Sequence, residues 1–115
     1  MDTKKLVKEL YAAIEDKKGE NIRIIDISGV SVIADYFIIA NGNNVNQVQA
    51  IADSVDEIMV KNNLPAGRIE GYNSANWILM DYGNVIVHIF SKEDRLFYDL
   101  ERIWRDGKNI EIGDL

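Results

Sequence analysis

The sequence predicts one α/β domain, α+β in the broad sense: a mixed five-stranded sheet flanked by helices, in the order α-β-β-α-β-β-β-α. Three observations predict it. Apolar residues recur at helical spacing in three separate stretches, around residues 6–14, 48–59 and 96–104. Between these stretches lie short apolar runs of strand length, bounded by Gly, Asn and Asp. Two of those runs meet at Gly83-Asn84, a hairpin turn that requires an antiparallel pair, while the strand–helix–strand succession around the second helix permits a parallel one. With 115 residues, 47% apolar and 9% aromatic, the chain is one domain with enough apolar material for a core.

The first helix carries Leu6, Val7, Leu10, Tyr11 and Ile14 on one stripe. Asp2 or Thr3 caps its start; Lys17-Lys18-Gly19 gives a basic last turn and a C-cap glycine. Ile22 to Ile27 reads as a strand closed by Ser28-Gly29. Tyr36 to Ala40 is a second strand whose apolar run does not alternate, which predicts a central position covered on both faces. After the turn Asn41-Gly42-Asn43-Asn44 comes a second helix, with Val48, Ile51, Ala52, Val55, Ile58 and Met59 on one face. Asn44 and Gln47 stand at capping-box spacing, and the helix stops near Asn62-Asn63-Leu64-Pro65.

Arg68 to Gly71 is a short strand, followed by two stronger ones, Trp77 to Asp81 and Val85 to Phe90. Glycine leads the turn between them, as a type II′ turn prefers. Ser91-Lys92-Glu93-Asp94 opens a last helix with Leu96, Phe97, Leu100, Ile103 and Trp104 on one face, ending at Asp106-Gly107. The domain therefore covers residues 1–107, with residues 108–115 as a loose tail.

Composition removes whole classes of function. Zero cysteines exclude disulfides, thiolate metal sites, iron–sulfur clusters and a cysteine nucleophile. The single histidine excludes histidine-rich metal sites and leaves little room for a Ser-His-Asp triad. The net charge of −6, from 13 basic and 19 acidic residues, argues against DNA or RNA backbone as the primary partner and suits a basic protein partner. Met1 to Lys8 is charged and lacks the apolar core of a signal peptide, and no apolar run is long enough to span a bilayer, so the expected location is the cytosol.

Candidate chemistry is sparse. Gly42 stands at a strand-to-helix turn, where backbone N–H groups can bind anions, but no Gly-x-Gly-x-x-Gly or Walker pattern accompanies it. Its expected role, with Asn44, is to turn and cap the chain. Asp26, Asp35 and Asp81 are the carboxylates available for a two-metal transferase site, yet no Asp-x-Asp or Glu-x-Glu pair occurs in the apolar strands. No metal or cofactor is expected. His88 shares a strand face with Ile86 and Phe90 and reads as a histidine satisfied by a neighbour, with a polar cluster around Asp81 or Asp99 as the alternative. Trp77, Tyr82, Phe97, Tyr98 and Trp104 all fall in the last third. Phe97 and Trp104 fit the buried helix face; Trp77 leads the hairpin and fits an open sheet face, where aromatics anchor protein interfaces. The competing reading places all five in the core.

Three strings carry a family resemblance: Ile33-Ala34-Asp35-Tyr36-Phe37-Ile38-Ile39-Ala40, Asp81 to Phe90, and Phe97-Tyr98-Asp99-Leu100-Glu101-Arg102-Ile103-Trp104. With Gly42 and Gln47, Ala50 to Asp53, Glu70-Gly71 and Ala75-Asn76-Trp77, they resemble the ribosomal silencing factor family, also called Iojap-like, from about residue 3 to Trp104. The resemblance implies a nucleotidyltransferase-like fold without transferase activity. Gly42-Asn43 stands where a transferase would have Gly-Ser, and the paired metal-binding acids do not follow.

It further implies a translational repressor that binds the large ribosomal subunit through the ribosomal protein numbered fourteen, blocks joining of the small subunit and forms homodimers. Organellar relatives imply the alternative of a large-subunit assembly factor; a degenerate nucleotidyltransferase using Asp35 or Asp81 is the enzymatic rival. On this resemblance Trp77 is the apolar anchor of the contact, Asp81, Tyr82, Tyr98, Asp99 and Arg102 surround it, and His88 supports it. No catalytic residue is expected.

Overall fold

The computed structural model describes residues 3–29, 34–93, 108–110 and 113. Helix α1 (Thr3–Asp16) buries Leu6, Val7, Leu10 and Ile14, the stripe that the spacing predicts. Its end differs from expectation in one residue. Lys18, not Gly19, takes the left-handed conformation (φ 65°), while the Gly19 N–H donates to the Ile14 carbonyl at 2.9 Å and that of Lys18 to Glu15 at 3.0 Å. These are the two bonds of a Schellman end. Glycine is needed one position later for space, because a Cβ at residue 19 would collide with the Ile14 side chain.

Helix α2 (Val45–Lys61) starts as its sequence predicts: the Asn44 side chain accepts from the Gln47 N–H at 2.8 Å. It ends in a second Schellman pair, Leu64 N–H to Met59 at 2.8 Å and Asn63 N–H to Val60 at 2.9 Å, with Asn63 at φ 61°. Gln47 does more than cap. Its Oε1 accepts from the Asn43 N–H, and its Nε2 donates to the Lys18 carbonyl at 2.9 Å, which ties the end of α1 to the start of α2. At the other end Asn62 Nδ2 donates to Glu9 on α1 at 3.2 Å.

The strands are β1 (Glu20–Asp26), β2 (Tyr36–Gly42), β3 (Arg68–Glu70), β4 (Trp77–Asp81), β5 (Val85–Ser91) and β6 (Lys108–Ile110). They form one mixed sheet in the order β3-β4-β5-β2-β1-β6. All neighbours are antiparallel except β2 and β5, which run parallel with Ile38 opposite Val87. The central position expected for Tyr36 to Ala40 is observed: every residue of β2 is buried. The β4–β5 turn closes with Tyr82 N–H to Val85 at 3.0 Å, and Gly83 (φ 87°) is its one left-handed residue, as a II′ turn requires.

The expected loose tail is corrected in part. Lys108–Ile110 pairs antiparallel with β1, Ile24 opposite Ile110, so the sheet has a sixth, edge strand. Three residues with a single apolar side chain carry too little periodicity to be read as a strand. Of the expected last helix, from Ser91-Lys92-Glu93-Asp94 to Asp106-Gly107, Ser91 belongs to β5, Lys92 and Glu93 are helical, and the rest lies outside the described residues.

Pleating sorts the side chains into two clusters. Ile24, Tyr36, Ile38, Ala40, Ile78, Met80, Val85, Val87 and Ile89 face α1 and α2 and make the larger core. Ile25, Ile27, Ala34, Phe37, Ile39, Ile86 and Phe90 form a second cluster on the opposite face, with Trp77 and Leu79 packed at its margin.

Gln47→Ala leaves the Asn44 cap in place but removes the side-chain acceptor of the Asn43 N–H and the tie between helices. We expect it to lower stability by about 1–2 kcal/mol, read from the urea unfolding midpoint at constant slope. An unchanged midpoint would show that water replaces these bonds without loss.

Candidate functional site

Strand β4 alternates half-buried and buried residues along its length. Ile78 and Met80 enter the larger core; Trp77, Leu79 and Asp81 lie half-buried on the other face. Register places Trp77 opposite Phe90 and Leu79 opposite His88 on β5. On the outer side, β3 is exposed throughout. A stripe of two large apolar side chains and one carboxylate thus runs beside the edge of the sheet.

Trp77 is held in this stripe by two contacts. Its ring stacks on Phe90 with centroids 5.2 Å apart and planes 25° from parallel. Its indole N–H donates to His88 Nδ1 at 3.1 Å. His88 is therefore the neighbour-satisfied histidine the sequence suggests, and its partner is Trp77 rather than Asp81. The ring is buried against the edge of Phe37, centroids 4.8 Å apart. Burial lowers its pKa from 6.5 to about 4. Because Nδ1 accepts a hydrogen bond, the neutral ring carries its proton on Nε2, and that atom has no hydrogen-bond partner among the described residues.

The chain entering β4 is equally fixed. Gly71 (φ 80°) runs so close under the Trp77 carbonyl that a Cβ would collide with it. The Ala75 N–H donates to the Gly71 carbonyl and the Ser91 N–H to that of Asn76, both at 2.9 Å. Tyr72 fastens this loop to α2: its hydroxyl donates to Asp53 at 2.9 Å, and Gln49 Nε2 donates to its carbonyl at 2.9 Å. The hydrogen bond to Asp53 raises the Tyr72 pKa.

Of the residues expected to surround Trp77, the described ones, Asp81 and Tyr82, lie on opposite faces of the sheet. Asp81 shares its face, but its Oδ1 accepts the Gly83 N–H at 2.9 Å and so stabilises the hairpin turn. Tyr82 turns to the helix side, packs on the larger core and donates its hydroxyl to Asp56 of α2 at 2.8 Å. Its pKa is raised, by burial first and by Asp56 second. Tyr98, Asp99 and Arg102 lie outside the described residues, as do Phe97 and Trp104.

The sequence reading missed Leu79 and Gly71. Leu79 lay two residues from Trp77 on the same strand face, and the signal for Gly71 was only its place in Glu70-Gly71.

The turn at Gly42 is filled by the chain itself. The Asn43 and Gln47 N–H groups are both taken by side chains of the capping pair, which favours the turn-and-cap reading over an anion cradle. Among the described residues, no group of three or more His, Asp or Glu side chains stands where it could hold a metal ion. Among the same residues, no helix is long and apolar enough to cross a membrane.

Comparison with known proteins decides what kind of molecule carries this stripe. Residues 1–115 match the family described as "Ribosomal silencing factor during starvation", RsfS. The chain belongs to this family. The ribosomal silencing factor RsfS of Bacillus subtilis is 42% identical over 112 residues, spanning 97% of this chain and 95% of that protein. A crystal structure of a Chromobacterium violaceum protein matches with a TM-score of 0.88 and 32% identity, over 96% of this chain and 92% of that one. More distantly, the mouse "Mitochondrial assembly of ribosomal large subunit protein 1" is 24% identical over 83% of this chain and 43% of that protein.

Two outcomes test how this ribosomal silencing factor holds its stripe. Gly71→Ala should cost at least about 2 kcal/mol in chemical denaturation, since both the left-handed backbone and the Trp77 carbonyl oppose a methyl group; near-wild-type stability would remove Gly71 from the account. His88 makes stability depend on acid. With a folded pKa of about 4 against 6.5 unfolded, its contribution is complete above pH 6.5 and declines as pH falls toward 4. At pH 5 the loss is about 2 kcal/mol, and His88→Leu should flatten the profile by the equivalent of one proton. A variant with the wild-type pH slope would assign the titration elsewhere.

Proposed function

We propose that this ribosomal silencing factor acts by occupying a surface and not by catalysis. It docks on the large ribosomal subunit in the cytosol, on the ribosomal protein numbered fourteen at the intersubunit face, and excludes the small subunit, so that translation is repressed. The observation that carries this reading is the half-buried Trp77–Leu79 stripe on β4, fixed before any partner arrives, in a chain of this family. A preformed aromatic anchor loses little rotamer freedom on docking. The charge of −6 favours rapid association with a basic ribosomal protein. Asp81 is engaged by the hairpin turn, where its Oδ1 accepts the Gly83 N–H. Homodimers, implied by the family resemblance, are an expectation for sedimentation equilibrium.

A second reading has its own support in the mouse relative, whose name states assembly of the ribosomal large subunit. Under it the same face would engage precursor particles.

One set of experiments separates these readings. The chain should co-sediment with purified large subunits and reduce their joining to small subunits. Trp77→Ala should weaken co-sedimentation about tenfold or more while the fold is retained. Preference for precursor over mature particles would support the assembly role. A protein that stays in the supernatant and leaves joining unaffected would sink both, and saturable calorimetric binding of nucleotide with magnesium would revive the transferase reading.

A further inference from the structure

The second face of the sheet is built from aliphatic and aromatic side chains, with one polar ring among them. His88 is 4% exposed and lies between Phe37, Phe90, Leu79 and Ile39. A leucine or phenylalanine there would fill the space without burying an imidazole N–H, but would take the acceptor away from the Trp77 indole. Instead the chain buries an imidazole whose Nε2 finds no hydrogen-bond partner among the described residues, an arrangement that by itself lowers stability. Among the described residues, the polar contact on the other nitrogen is the hydrogen bond it accepts from the Trp77 indole.

That bond fixes what stacking leaves free. Offset stacking on Phe90 holds the indole plane but permits it to slide or flip about χ2. An acceptor at 3.1 Å from Nε1 selects one orientation, with the N–H edge turned inward toward β5. Trp77 is thus half-buried in a set orientation, with its side-chain N–H already satisfied within the fold.

We propose that His88 is a positioning residue for docking: through its Nδ1 it sets the orientation in which Trp77 meets the ribosomal partner. This rests on the reading of Trp77 as a contact residue. His88 itself does not touch the partner, and a purely structural histidine would be replaceable by an apolar side chain of similar size.

Two variants in the full chain test it. His88→Leu keeps bulk and removes the acceptor. His88→Asn places an amide oxygen close to the former Nδ1 and restores it. The leucine variant should remain folded, shift the Trp77 indole N–H resonance away from its hydrogen-bonded position, and weaken co-sedimentation with large subunits by roughly three- to tenfold, mostly through faster dissociation. The asparagine variant should recover both the resonance and the binding, even where thermal unfolding shows it to be the less stable of the two. Wild-type affinity in a folded leucine variant, with Trp77→Ala impaired, would overturn the positioning role and leave the docking face intact. Wild-type affinity in Trp77→Ala would overturn the docking face and this role together. An asparagine variant that regains the indole signal but not the binding would also overturn it.

Discussion

Strand β2 is the constraint on which the remaining structure depends. Its seven residues are buried on both faces and hydrogen-bonded along both edges, antiparallel to β1 and parallel to β5. Backbone polar groups removed from water on every side must all be paired, so β1 and β5 have to arrive in register. The parallel pair demands a crossover, and α2 with the β3–β4 segment supplies it. One face then needs α1 and α2. Gln47 serves both by spanning the gap between the end of the first helix and the start of the second. The other face carries Phe37 and Ile39 against Ile86 and Phe90, and at its margin the stripe of β4.

Much of this was legible in the residues. The unbroken apolar run from Tyr36 to Ala40 announced a central strand, and Asn44 with Gln47 announced a helix start, because each signal is local and has a specific physical cause. The hairpin was the most informative. Once Gly83-Asn84 is taken as a two-residue turn, every cross-strand pair of β4 and β5 follows by counting outward. Trp77 therefore had to face Phe90, and Leu79 to face His88.

Other features were illegible for equally physical reasons. A left-handed Lys18 next to a glycine reverses the usual preference, and the deciding factor is the Ile14 side chain packed beneath residue 19. The sixth strand is three residues long and owes its existence to the open edge of β1 rather than to its own composition. The family resemblance placed Tyr82 around Trp77. Turn geometry sends it across the sheet to Asp56, and residue type alone does not reveal that choice. Tyr72, similarly, is fastened to Asp53 by a loop whose course depends on Gly71. The general pattern is that the place of Trp77 on its strand could be read, while the contacts that hold it still could not.

The two ends of the sheet have a consequence for the behaviour of the chain at high concentration. The long, β-branched, uncharged segments, β2 and β5, are the ones most apt to template cross-β stacking, and they lie at the centre of the sheet. The strands at the two margins of the described sheet, β3 and β6, are three residues each, and their sequences carry Arg68, Glu70 and Lys108. Short charged margins are poor templates for a further strand, so the segments best suited to stacking are exposed only when the sheet opens.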